Sequence, residues 1–89
     1  MKELLDIGQR VRQQRIQQGL KQRELAEKAA VGVNVLLALE NGRPITTESL
    51  ARILSAMGYK DALANLLPAS AVSPIDLQKL AGKQRQRVR

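Results

Sequence analysis

The sequence predicts an all-α fold of five short helices in residues 1–68, followed by a linker and a basic tail in residues 69–89. Three observations lead to this prediction. Aliphatic residues recur at spacings of three and four, the period of an amphipathic helix. The only aromatic residue is Tyr59, so the core must consist of Leu, Ile, Val and Ala side chains. Glycines and prolines divide the chain into segments of helical length.

The first helix is predicted from a capping box and a glycine stop. Asp6 is a suitable N-cap with Gln9 three residues later, and Leu4 could extend the helix backwards. Gly19 is a suitable C-terminal stop. The apolar residues expected on its inner face are Ile7, Val11 and Ile16.

The second helix is expected over about residues 22–29, although Lys21 is an unfavourable N-cap. Its apolar positions are Leu25, Ala26 and Ala29. The third helix should begin after Gly32 and end near Glu40 or Asn41, because "NGRP" follows as a strong breaker.

The fourth helix should be capped by Thr46 or Thr47 and should stop at Gly58. A short fifth helix, roughly residues 61–67, is expected to end at Pro68. Beyond it, "PASAVSP" has linker composition, "IDLQKLAG" suits a turn or two of helix, and "KQRQRVR" is expected to be disordered alone. The inner face of the fourth helix should carry Leu50, Ile53, Leu54 and Met57.

The charge of the chain favours a polyanionic partner, most often nucleic acid. Fifteen Lys and Arg residues stand against eight Asp and Glu residues, for a net charge of +7. Residues 69–89 carry five of these basic residues and a single acidic one. The alternative is a solvated tail that binds nothing specific.

Several function classes are not expected. The chain has neither Cys nor His and shows no Gly-rich phosphate loop or acidic metal cluster, so neither enzymatic activity nor a cofactor or metal is expected. No apolar run approaches the ~20 residues of a membrane span, and the first ten residues lack a signal-peptide core. The expected location is cytoplasmic and associated with the nucleoid.

The second and third helices meet across "AAVGV", the arrangement of a helix-turn-helix unit whose second helix enters the DNA major groove. Residues 10–42 resemble the XRE family, which contains the lambdoid repressors and Cro. The matching motifs are "R-x-x-R-I-x-x-G-L" at 12–20, "Q-x-E-L-A" at 22–26 and "L-E-N-G" at 39–42. The resemblance implies a lambda-repressor-like DNA-binding domain. The C-terminal part is similar to HipB-type antitoxins, which accompany HipA-like kinase toxins.

The XRE resemblance also implies roles for single residues. Arg15 and Glu40 match a partly buried ion pair between the first and third helices, with two solvated surface charges as the alternative. Gln22 matches a position near the DNA backbone that can also reach a base edge. Asn41 and Arg43 match phosphate-contacting positions after the third helix.

The expected DNA-facing surface of the third helix is mostly aliphatic. With about 100° per residue and Leu36 facing the core, the outward residues are Asn34, Ala38 and Asn41, flanked by Val33 and Leu37. Of these residues, only Asn34 can make a hydrogen-bonded base contact, and adenine is the expected base, whereas Val33 and Ala38 can only touch a thymine methyl. Gly32 replaces the Ser or Thr cap that is usual in the family.

Two explanations of this aliphatic surface remain open. Binding could rest on phosphates, the tail and DNA shape, with little direct base readout. Alternatively, Val33 and Leu37 belong to a protein interface.

In an extended tail, alternate cations would lie on one side at steps of about 6.6 Å. This spacing suits contacts along the DNA backbone or the minor groove, although a flexible tail would bind nearly as well.

The leading hypothesis is a homodimeric repressor that binds double-stranded DNA at a palindromic operator and serves as the antitoxin of a HipA-like kinase. The alternative is a protein-interaction module that mainly neutralises a toxin and binds DNA weakly. The dimer surface is expected after the fourth helix, at Leu63, Leu66 and Leu67. The residues expected to contact DNA are Lys21, Gln22, Arg23, Val33, Asn34, Leu37, Ala38, Asn41, Arg43, Lys83, Arg85, Arg87 and Arg89.

Overall fold

The computed structural model describes residues 1–68, and within this range it contains four α-helices and no strand. The helices are α1 (Lys2–Gln17), α2 (Gln22–Ala29), α3 (Val33–Glu40) and α4 (Thr47–Ala56). The all-α class is therefore confirmed for the described residues. The predicted linker and basic tail lie outside the described residues.

The expected fifth helix is wrong as a regular element. Residues 60–65 form successive turns, closed by short hydrogen bonds such as Ala62 N–H to the Tyr59 carbonyl at 3.0 Å. A helix of this length is too short to be stable unless one face is buried. Leu66 and Leu67 are 69% and 78% exposed, so the segment gains little burial from packing against the other helices.

α1 begins one turn earlier than the Asp6 cap predicts. Asp6 lies inside the helix and forms an exposed ion pair with Arg10 at 3.2 Å. The added first turn covers the loop after α3, where Gly42 lies against Leu5. Ile16 is 55% exposed rather than internal, because Val11 and Arg15 occupy the inner face and Ile16 lies about 100° to its side.

The other helix ends follow the predicted local rules. Gly19 and Gly58 adopt positive φ angles of 74° and 97° after α1 and α4. At the start of α4, the Thr46 hydroxyl accepts a hydrogen bond from the Ser49 N–H at 3.1 Å. At the start of α2, the Glu24 carboxylate accepts one from the Lys21 N–H at 2.8 Å. Glu24 therefore compensates for the unfavourable capping residue.

The core consists of aliphatic side chains from all four helices, with Leu25, Leu36 and Ile53 fully buried. α1 packs against α3 at Gly8, where even a Cβ atom would collide with the backbone carbonyl of Leu39. Glycine therefore allows α1 to lie directly against the C-terminal end of α3. The remaining buried apolar residues are Val11, Ala26, Ala29, Leu39 and Met57.

Candidate functional site

A tight turn joins α2 to α3 and presents α3 at the surface. Ala30 adopts the left-handed conformation (φ 59°), and the Val31 N–H donates to the Ala26 carbonyl at 3.0 Å. Gly32 then enters α3 with extended backbone angles, φ −68° and ψ 149°. The bounds of α2 and α3 agree with the sequence prediction, so this is the helix-turn-helix arrangement that it anticipated.

The inner face of α3 consists of Leu36, Leu39 and Glu40, all buried in the domain. The opposite face is open to solvent at Asn34 and Asn41, and Ala38 is half-buried. Val33 and Leu37 are also exposed, by 46% and 41%. The structure therefore leaves an aliphatic surface on α3, on which Asn34 offers an amide near the start of the helix.

Arg15 and Glu40 form a buried ion pair that joins α1 to the end of α3. Arg15 Nε donates to Glu40 Oε2 at 2.7 Å, and Nη2 donates to Oε1 at 3.2 Å. The third nitrogen, Nη1, donates to the Leu20 carbonyl at 2.8 Å. The two side chains are only 10% and 3% exposed, which rules out the alternative of two solvated surface charges.

Gln22 extends this network into the first turn of α2. Its Nε2 atom donates to Glu40 Oε1 at 3.0 Å, so one side chain of α3 holds residues from both α1 and α2. The family resemblance implies that Gln22 lies near DNA, but no local sequence pattern indicates this bond, because the partners lie 18 residues apart. The bond constrains the Gln22 amide beside the exposed face of α3.

An open cleft lies beside the ion pair, between α1, the start of α2 and α3. Arg12 and Lys21 are exposed at this cleft, and Leu37 and Asn41 contribute its α3 wall. Arg15 and Glu40 compensate each other in charge, so Arg12 and Lys21 leave the cleft positive. Arg12 was not among the expected DNA contacts. The sequence did indicate that Arg12 lies on the same face of the first helix as Arg15, because residues three apart share a helix face.

The remaining predicted contacts lie at separate places. Arg23 is exposed in the first turn of α2. Arg43 is exposed in the loop after α3, and its backbone N–H donates to the Ala38 carbonyl at 2.9 Å. The tail cations lie outside the described residues; they are Lys83, Arg85, Arg87 and Arg89.

Among residues 1–68, acidic side chains form no cluster suited to a metal ion. None of the helices in that range combines the length and apolar character that a membrane span requires.

Comparison with known proteins supports the same architecture. A family model described as helix-turn-helix matches residues 11–63, which is more than half of the chain and includes α2, α3 and α4. No match was found among the curated proteins or among the solved structures.

Proposed function

The chain belongs to the XRE family of helix-turn-helix proteins, a family of DNA-binding transcription regulators, and we propose that it is a dimeric repressor of its own operon. In this proposal it also acts as the antitoxin of a HipA-like kinase toxin. The observation that carries the DNA-binding part is the exposed face of α3, with Asn34 at its start and a cationic cleft at its side. The antitoxin part rests on the similarity of the C-terminal residues to HipB-type proteins.

Phosphate contacts supply most of the affinity in this proposal. Arg12 and Lys21 contact DNA phosphates beside the cleft. Asn41 and Arg43 contact DNA phosphates from the loop that follows α3. Exposed cations suit this role, because neutralised phosphates release their condensed counterions. Gln22, whose side chain is held by Glu40, contributes a contact to the DNA backbone or to a base edge.

Direct base recognition rests on Asn34. A side-chain amide can bond the N6 and N7 atoms of adenine simultaneously, and such a bidentate contact is worth about 1–3 kcal/mol of discrimination. Val33 and Ala38 contribute apolar contacts to thymine methyl groups. Each half-site should therefore contain few sharply preferred base pairs, with the remaining preference set by groove shape.

Replacing Asn34 by Ala is expected to flatten the base preference at one position of each half-site and to leave non-specific affinity almost unchanged. Replacing Arg43 by Ala should do the reverse and weaken binding to all sequences alike, because a phosphate contact carries no sequence information. Both variants are measured against a randomised operator library at one salt concentration. An unchanged selected motif for Asn34→Ala would show that α3 does not recognise the operator through this residue.

The proposed dimer has two-fold symmetry and places two copies of α3 about 34 Å apart, one turn of DNA. Leu66 and Leu67 are strongly exposed, and Leu63 is half-buried beside them in the chain. An 89-residue chain with a small core gains stability by covering such residues.

Substituting Asp for both Leu66 and Leu67 is therefore expected to shift sedimentation from dimer to monomer. The substitutions should not unfold the domain, because both side chains are already exposed. Ile16→Asp is the matched control, since Ile16 is 55% exposed on α1 and should leave the dimer intact. A parent chain that sediments as a monomer, both free and on operator DNA, would disprove the dimer.

A second candidate function is protein interaction through α3, which the exposure of Val33 and Leu37 favours. In that case the aliphatic face contacts a toxin rather than DNA. A kinase-like reading frame beside the gene would provide the partner for the test. If Val33→Asp and Leu37→Asp abolish the complex with the purified kinase while operator binding persists, protein interaction replaces DNA recognition as the role of this face.

A further inference from the structure

The side chain of Asn34 occupies the space where a residue at position 32 would carry its Cβ atom. An ideal Cβ built on Gly32 would lie 2.5 Å from Asn34 Oδ1 and 3.7 Å from Asn34 Cγ. The Asn34 amide thus lies back over the residue that precedes α3. This direction agrees with the general tilt of helical side chains toward the helix N-terminus.

Glycine is required at position 32 for this arrangement, and the requirement comes from the neighbouring side chain rather than from the backbone. The Gly32 angles, φ −68° and ψ 149°, are open to any L-residue. A Cβ atom would nevertheless stand too close to Oδ1, so the Asn34 side chain would have to leave its present position. Because Asn34 is exposed, it can do so at little cost in stability.

We propose that Gly32 is a specificity-determining residue that positions Asn34 for base recognition. The absence of a side chain at position 32 lets the Asn34 amide stand in front of the first turn of α3. Since α3 carries aliphatic residues on both sides of Asn34, the placement of this single amide governs the hydrogen-bonded recognition that α3 contributes. This inference rests on the proposed function, in which Asn34 contacts a base.

The geometry of amide recognition explains why such positioning matters. A bidentate contact to adenine needs the oxygen and the nitrogen of the amide in one plane with the base edge. A Cβ atom at position 32 would conflict with Asn34 Oδ1 but not with Cγ, so the amide would have to turn about χ2, a torsion with a broad energy minimum. Such a turn takes the amide oxygen and nitrogen out of the plane of the base edge, which weakens the bidentate contact.

The test is a double-mutant cycle with Gly32→Ala, Asn34→Ala and the chain that carries both substitutions. Melting temperature, affinity for non-specific DNA and base preference in a randomised operator library are measured for each chain at one salt concentration. We expect Gly32→Ala to reduce the preference at the position that Asn34→Ala flattens, by about fivefold to a hundredfold. Melting temperature and non-specific affinity should stay close to those of the parent.

The double variant separates positioning from any general effect on the start of α3. In the Asn34→Ala background, Gly32→Ala should cause no further loss of base preference. If Asn34→Ala flattens a position but Gly32→Ala leaves that position unchanged or sharpens it, the positioning role is wrong and the proposed function stands. If Asn34→Ala itself leaves the motif unchanged, the proposed base contact fails and the positioning role fails with it.

Discussion

Replacing Glu40 by Ala is expected to lower the free energy of unfolding by about 3–5 kcal/mol, which is a large share of the stability of a small domain. The substitution leaves the Arg15 guanidinium buried without its countercharge. Two hydrogen bonds from Arg15 and one from Gln22 are lost together. An uncompensated buried charge costs far more than the net contribution of the intact pair, because its desolvation is no longer offset.

Chemical denaturation of two further chains distinguishes a stranded charge from general damage to α3. The double substitution Arg15→Met with Glu40→Leu removes both charges at similar volume and should cost much less than Glu40→Ala. Glu48→Ala is the matched control, because it removes the same side chain from an exposed pair with Arg52 at 2.8 Å and should cost less than about 1 kcal/mol. A Glu40→Ala chain with the denaturation midpoint of the parent would contradict the argument.

The ends of the helices were predictable wherever a local rule decides them. Gly19 and Gly58 end α1 and α4 because glycine adopts positive φ without a steric cost, and this preference is visible in the sequence. Asp6 misled the prediction, since an acidic residue followed by Gln9 suits a cap as well as a mid-helix ion pair. Where α1 begins depends on whether the turn before Asp6 packs against another part of the chain. Leu5, in that turn, packs against Gly42, which is distant in the sequence.

The prediction of a fifth helix was wrong for a related reason. Leu63, Leu66 and Leu67 have helical spacing, but spacing describes only where side chains would point. Without a surface to cover them, the apolar side chains do not offset the entropy of ordering a single short helix. A second copy of the chain would supply such a surface, so the same residues support the proposed dimer.

The candidate site also contains features that local sequence patterns predict and features that they do not. The orientation of α3 followed from its period, because three buried residues at one side of a short helix fix the opposite side. The bond between Gln22 and Glu40, and the shared cleft of Arg12 and Lys21, join residues from different helices. Such contacts depend on how the helices cross, which no local pattern encodes.

The second large effect is expected from the tail. Replacing all four of its alternating cations by Gln should make the dependence of log affinity on log salt shallower by several units, because each neutralised phosphate contributes a slope of about −0.9. With four phosphates per tail, the parent would lose about a hundredfold more affinity than the variant between 50 and 200 mM salt for each tail that lies on DNA. The substituted residues are Lys83, Arg85, Arg87 and Arg89.

The salt dependence also distinguishes direct contact between the tail and DNA from attraction by the net charge of the chain. Lys28 and Lys60 line a groove between α2 and α4, away from the cleft beside α3, so replacing both by Gln removes charge without removing a proposed contact. If the tail contacts DNA, the slope of log affinity against log salt should be shallower for the tail variant and nearly parental for this control. A tail variant that keeps the parental slope would show that the tail does not lie on DNA, and the affinity would then rest on Arg12, Lys21 and Arg43. Equal changes per charge in both variants would instead indicate attraction by net charge, without a defined path for the tail along the backbone.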